Sequence, residues 1–169
     1  MNAYFAGGCF WCMEKPYHLI EGVLSSESGY CGGTEENPAY EDVKAQKTNH
    51  RETVCVTFDE EKVSFAELLE VFLNSIDPFD AGGQFIDRGR SYTCAVYYTD
   101  EAQKAVTEQR IAEIEREFKQ KVAVAVEPYL RFWPAEEYHQ DYARKNPEAY
   151  AKELEDSGRQ SFAGGLNAK

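Results

Sequence analysis

Apolar positions along the chain switch between a period of two and a helical period, and the switches predict the elements. Ala3-Tyr4-Phe5-Ala6 reads as a short strand that Gly7-Gly8 closes, and Cys9 to Ile20 reads as a helix kinked or interrupted by Pro16. Val23 to Tyr30 is a second strand, followed by a loop through Gly32, Gly33, Asn37 and Pro38, and Glu52 to Phe58 is a third strand. Ser64 with Glu67 three residues later is a capping-box pattern, and Leu68, Leu69, Phe72 and Ile76 recur at helical spacing behind it. Pro78 to Arg90 reads as a loop and Tyr92 to Tyr98 as a fourth strand. A long polar helix is expected from Asp100 to about Lys121, then a fifth strand over Val122 to Val126. Periodicity is weak beyond it, and 148–169 is expected to be a loosely packed tail.

Strand, helix, strand, strand, helix, strand is the split βαβ order. It predicts an α/β chain, an α+β sandwich with a ferredoxin-like core: a mixed sheet, helices on one face and a long irregular C-terminal segment. A length of 169 residues suits one domain over 1–169. Lys plus Arg is 18 against 30 Asp plus Glu, a net charge of −12, which argues against nucleic acid and anionic membranes as partners. No apolar run is long enough to span a membrane, and residues 1–6 are too short for a signal peptide, so a cytoplasmic protein is expected.

Five cysteines change the picture, because an odd number without an export signal argues against a disulfide framework. Cys55 and Cys94 lie in strand-like runs and read as small buried hydrophobes. In Gly7-Gly8-Cys9-Phe10-Trp11-Cys12, the glycines turn the chain and set Cys9 at a helix start, where the dipole favours a reactive thiolate. Cys12 lies one turn on, within reach of a disulfide. Two packed thiols or half a zinc site are the alternatives. Zinc would need ligands from Cys31, His18, His50 and His139, and no metal is expected. Phe10 and Trp11 beside the thiol could form an apolar slot for a methyl-bearing group.

Gly8-Cys9-Phe10-Trp11 resembles the signature of the A-type peptide methionine sulfoxide reductases. Further blocks in the same order resemble that family: Gly29-Tyr30-Cys31-Gly32-Gly33, Asn37-Pro38-Ala39-Tyr40, His50-Arg51-Glu52, the loop from Asp80 to Tyr92, Tyr138-His139-Gln140-Asp141-Tyr142 and Lys145-Asn146-Pro147. The resemblance implies reduction of the S epimer of methionine sulfoxide, free or in proteins, as a repair of oxidised proteins. It makes Cys9 the nucleophile and Glu52 the neutral acid that protonates the sulfoxide oxygen. Tyr40 and Tyr92 are implied to hydrogen-bond that oxygen, and Phe10 and Trp11 to cradle the S-methyl group. Asp87 is implied to line the pocket, and His139 to stand behind it.

Attack on sulfur would leave a sulfenic acid on Cys9, which another thiol converts to a disulfide. Many members carry the resolving cysteine in the C-terminal tail. Here no cysteine follows Cys94, and Ser157 stands about where some members have one. Cys12 and Cys31 are the resolving candidates, with direct attack by an external thiol as the third route. Thioredoxin, or glutathione with glutaredoxin, would supply the electrons, with no bound cofactor. Some members have selenocysteine at the nucleophile position; this chain has Cys9. A Cys-x-x-Cys thiol–disulfide oxidoreductase is the competing reading, and leaves Glu52, Tyr40 and Tyr92 without a role. A module that only binds oxidised methionine leaves the thiol without one.

Overall fold

The computed structural model describes residues 1–160, 162 and 165–168. Strand Asn2–Gly7 (β1) lies inside the main sheet, buried along its length. It pairs antiparallel with Arg51–Phe58 (β3) on one side and Cys94–Tyr98 (β6) on the other. Val23–Cys31 (β2) pairs antiparallel with β3, so the four central strands run β6-β1-β3-β2, as a split βαβ unit requires. Val124–Pro128 (β7) joins parallel to β6, making the sheet mixed, and Phe132–Pro134 (β8) closes the other edge against β2.

Alternation along the strands sorts side chains between two faces. Phe5, Val54, Val56 and Val96 face the main core beneath Phe10–His18 (α1) and Phe65–Asn74 (α3). Phe5 stacks between Tyr17 of α1 and Phe72 of α3, with ring centroids 5.7 and 5.0 Å away. Tyr4, Cys31, Cys55 and Tyr97 face the other way, under Tyr129 and Phe132. Cys94 sits in the main core, so Cys55 and Cys94 are both buried on strands, on opposite faces.

The capping box at α3 forms as the spacing predicts. The Glu67 N–H donates to Ser64 Oγ at 3.1 Å, and the Ser64 N–H donates to Glu67 Oε2 at 2.9 Å. Pro16 falls inside α1, close to its end at His18. The long helix is Glu101–Phe118 (α4), ended by Lys119 in the left-handed region at φ 53°.

Several boundaries differ from the sequence reading, because tertiary contacts set them. The stretch Pro78 to Arg90 contains a small hairpin, Gly83–Gln84 (β4) with Asp87–Arg88 (β5). Its anchor is Gln84, whose side chain accepts from the Asp77 N–H at 2.8 Å and donates to the Asp77 carbonyl at 2.9 Å. Tyr92 belongs to a 3-10 turn, Arg90–Tyr92, and not to the following strand. A short helix, Tyr40–Lys44 (α2), and strand β8 have too few residues for a periodicity to show.

The expected loose tail is corrected over most of its length. Tyr142–Lys145 (α5) and Pro147–Ser157 (α6) are helices, with Pro147 at the first turn of α6 and Gly158 ending it at φ 83°. The ring of Tyr150 is buried against Cys9 and Cys12. One aromatic anchor of this kind holds a helix whose other positions are mostly polar, so periodicity understates it. Residues 161, 163, 164 and 169, also in the expected tail, lie outside the described residues. Among the described residues, no helix is long and apolar enough to cross a membrane.

Gly29 marks where β8 seats on β2: a Cβ there would collide with the Phe132 ring and the Trp133 carbonyl. Gly29→Ala is expected to cost about 1–3 kcal/mol by overpacking. Urea unfolding checks it; an unmoved midpoint would contradict the seating.

Candidate active site

The turn Gly7-Gly8 delivers Cys9 to the N-cap of α1, with Gly8 at φ 89°, a conformation that favours glycine. Cys9 is 7% exposed and Cys12 is 4% exposed, side by side. The helix start does not serve the Cys9 sulfur: its side chain makes no cap hydrogen bond, and the Phe10 N–H donates instead to Glu52 Oε1 at 3.2 Å. Interaction with Cys12, burial, and the Glu52 and Asp87 carboxyls push the Cys9 thiol up. The Cys12 thiol is lowered by sharing the Cys9 proton and by the Arg159 guanidinium. These surroundings work against the thiolate that the helix-start position of Cys9 favours. Within the pair, the surroundings favour the proton on Cys9 over Cys12.

Glu52 comes from β3, on the core side of the sheet, and is 1% exposed. Burial raises its carboxyl to about 8 from an ordinary 4.5, with Asp87 adding to the rise. The Phe10 N–H and the nearby Tyr92 phenol offset part of it. A rise of that size is roughly 5 kcal/mol in favour of the neutral acid. Tyr40 at the start of α2 and Tyr92 in the 3-10 turn are both buried beside it, and burial with the Glu52 charge keeps both phenols protonated. The turn is held by Gln46, which donates to Ser91 Oγ at 2.7 Å and accepts from the Ser91 N–H at 3.0 Å.

Aromatic rings wall this acid. Phe10 lies 5.8 Å from Tyr30, 6.1 Å from Tyr40 and 5.1 Å from His139 between centroids. Trp11 stacks on Tyr142 at 4.0 Å, and its indole N–H donates to His139 Nδ1 at 3.0 Å. Indole is a donor only, so His139 is neutral with its proton on Nε2, in keeping with its lowered pKa on burial. Among the described residues, two buried side-chain polar atoms have no hydrogen-bond partner, Glu52 Oε2 and His139 Nε2. Both belong to this aromatic chamber. A buried polar atom without a partner is costly, and a polar ligand between these walls would relieve it.

The segment 136–142 is tied down residue by residue. Glu136 accepts from the Tyr30 hydroxyl at 2.9 Å and from the Tyr40 N–H at 3.1 Å. Gln140 accepts from the Ser28 N–H and donates to the Ser28 carbonyl, each at 2.8 Å. Buried Glu14 of α1 accepts from the Asp141 N–H at 2.8 Å and from Ser28 Oγ at 2.5 Å. On the other side His50 accepts from the Gly33 N–H at 3.2 Å, which fixes the glycine turn after β2.

Cys9, Cys12, Phe10, Trp11, Glu52, Tyr40, Tyr92, Asp87 and His139 are thus brought together. Cys31 is not: it lies on the opposite face of the sheet among Tyr4, Cys55 and Tyr97, where its thiol donates to the Arg131 carbonyl at 3.1 Å. Sequence reasoning assigned no role to Glu14, Glu136, Gln140, Tyr150 or Arg159. Glu14 reveals itself only as a buried polar group, Glu136 and Gln140 only through hydrogen bonds to distant segments, and the last two only through the packing of α6. Cys9, Asp87 and Glu153 place a potential ligand atom each within 4.8 Å of one another, as do Glu14, His18 and Asp141. The Arg159 charge beside Cys12 and Asp87 opposes a cation at the first cluster.

A family model described as "Peptide methionine sulfoxide reductase" matches residues 1–166. "Peptide methionine sulfoxide reductase MsrA" of Bacillus licheniformis is 46% identical over 162 residues, covering 95% of this chain and 90% of its own. Among solved structures, reduced Mxr1 from Saccharomyces cerevisiae matches with a TM-score of 0.82 at 28% identity, covering 88% of this chain and 86% of its own. Methionine sulfoxide reductase A of Corynebacterium diphtheriae matches with a TM-score of 0.78 at 27% identity, covering 86% and 74%.

Thiolate absorbance near 240 nm checks the thiol pair. One thiolate is expected to ionise below the ordinary thiol value of 9.0, with the rest above it, and Cys12→Ser should abolish that first step. Two ionisations together at the ordinary value would contradict a shared proton.

Proposed function

Because the chain belongs to the peptide methionine sulfoxide reductase family, and so reduces methionine sulfoxide to methionine, we propose that it does so on the S epimer with Cys9 as nucleophile and Glu52 as acid. The observation that carries this reading is the buried Glu52 carboxyl, held neutral and with one oxygen unpartnered. The Cys9 sulfur attacks the substrate sulfur, and Glu52 gives its proton to the oxygen as the S–O bond breaks. The released hydroxide then bonds to the Cys9 sulfur as the sulfur–sulfur bond breaks and methionine leaves, so that the oxygen ends on Cys9 as a sulfenic acid, and the Cys9 proton replaces the one Glu52 gave. Tyr40 and Tyr92, as protonated phenols, donate to the oxygen. Phe10 and Trp11 form the apolar slot for the methyl group, Asp87 lines its rim, and His139 holds Trp11.

Cys12 is the resolving thiol in this reading. It adjoins Cys9 and carries the lowered pKa, whereas the sheet separates Cys31 from the site. The Cys9–Cys12 disulfide then passes its oxidation to thioredoxin, with glutathione and glutaredoxin as the alternative source of electrons. Mxr1 has been solved in complex with Trx2, which is a statement about that relative. Five free cysteines suit a reducing, cytoplasmic setting. Substrate is free or protein-bound methionine sulfoxide, and the whole described chain acts as one catalytic domain.

With excess dithiothreitol, the S epimer of N-acetyl-methionine sulfoxide should be consumed and the R epimer left. Consumption of both, or of R alone, would contradict the reading. Glu52→Gln should slow a single turnover by about 10²–10⁴. The sign with pH follows from the raised acid: the proton is present below about 8 and lost above it, so the parent rate should fall on the alkaline side with a midpoint near that value. Glu52→Gln should lack this limb. A parent rate flat through that range would remove Glu52 from the acid role.

A further inference from the structure

The C-terminal segment places one cation beside the site. Gly158 turns the chain at the end of α6, and Arg159 then reaches under the start of α1. Its Nη2 donates to the Gly7 carbonyl at 2.9 Å and its Nη1 to the Ser75 carbonyl at 2.8 Å, with the Met13 sulfur at 3.5 Å. The guanidinium lies over the Phe85 ring at 4.6 Å. Gly8 is the other wall: a Cβ there would meet Arg159 Nη2 at 2.9 Å. The cation is therefore locked between the turn that precedes Cys9, the residue that follows Cys12, and the hairpin that carries Asp87. Among the described residues, none of its hydrogen-bond partners is a carboxylate.

We propose that Arg159 is a positioning residue for the second half of the cycle, its fixed charge holding Cys12 as the thiolate that attacks the Cys9 sulfenic acid. The proposal rests on the reading of Cys12 as the resolving thiol. In the step, the Cys12 sulfur bonds to the Cys9 sulfur, the S–O bond breaks, and hydroxide leaves and takes a proton as water. Cys12 is oxidised and the Cys9 sulfur is reduced from the sulfenic level to the disulfide.

The groups facing Cys12 define the balance. Cys9 comes from the helix start, Asp87 from β5, and Glu153 and Tyr150 from α6; of the charged groups, Asp87 and Glu153 oppose a thiolate and Arg159 favours it. Removing Arg159 leaves the two carboxylates unopposed. Attack then needs a higher pH. Its hydrogen bonds go to the Gly7 and Ser75 carbonyls and the Met13 sulfur rather than to Glu52, Tyr40 or Tyr92, so methionine release is read separately from disulfide formation.

The test uses the full chain, one equivalent of the S-sulfoxide and no reductant, in the parent, Arg159→Gln, Arg159→Lys and Cys12→Ser. Methionine released and thiols lost are followed separately. Arg159→Gln should still release one methionine per chain. Its Cys9–Cys12 disulfide should form about tenfold more slowly at about pH 7, recovering at about pH 9, which is the loss of one favourable charge. Arg159→Lys keeps the charge and should restore the parent pH profile. Slowing by the same factor at both pH values, or equally in both variants, would make Arg159 a packing residue and overturn the proposal. A parent rate in Arg159→Gln would overturn it as well. If Cys12→Ser loses the same thiols as the parent, the resolving reading itself falls, and the proposal with it.

Discussion

One hydrogen bond joins the start of the first helix to the centre of the sheet, and the site is arranged around it. The Phe10 N–H would be an orphan of the helix terminus; the Glu52 carboxyl, buried on β3, accepts it. That fixes the height of α1 over the sheet, and with it the place of Cys9 one residue earlier. It also uses only one carboxyl oxygen. The other is left in an aromatic chamber, where ionisation is costly and the neutral acid prevails. In the proposed mechanism a structural hydrogen bond and the proton donor are thus two ends of one side chain.

The two thiols differ in the charges around them. Cys9 adjoins Glu52 and Asp87, which disfavour a thiolate, while Cys12 sits toward the Arg159 side. A thiolate on Cys9 would stand beside a carboxyl group in a dry pocket. In the proposed mechanism bound sulfoxide changes that balance, since its oxygen takes the Glu52 proton as the sulfur–sulfur contact forms. The C-terminal helix completes the arrangement from outside by laying Tyr150 over both thiols.

Much of this was legible in the sequence. The strand and helix order follows from alternation and from the Ser64–Glu67 cap, and Cys9 at a helix start follows from the glycines before it. Tyr40, Glu52, Tyr92 and His139 were found through ordered motifs, not through periodicity, because a lone buried carboxylate in a strand looks like a surface residue. What sequence could not show are contacts between distant segments. Gln140 clasping Ser28 and Glu14 capping the Asp141 N–H span more than a hundred residues. A tail with weak periodicity hid a helix, because its docking depends on Tyr150 and Arg159 and not on an apolar stripe. What opposes a Cys9 thiolate is local: Glu52 takes the Phe10 N–H, and the sulfur receives no cap bond.

The most direct measurement is the mass of Cys9 after one equivalent of methionine-S-sulfoxide, taken in Cys12→Ser without reductant so that the first product is trapped. The peptide containing Cys9 should be one oxygen atom heavier and should react with a sulfenic acid probe, with one methionine released per chain. An unmodified Cys9 alongside released methionine, or no methionine from a folded protein, would contradict oxygen transfer to Cys9.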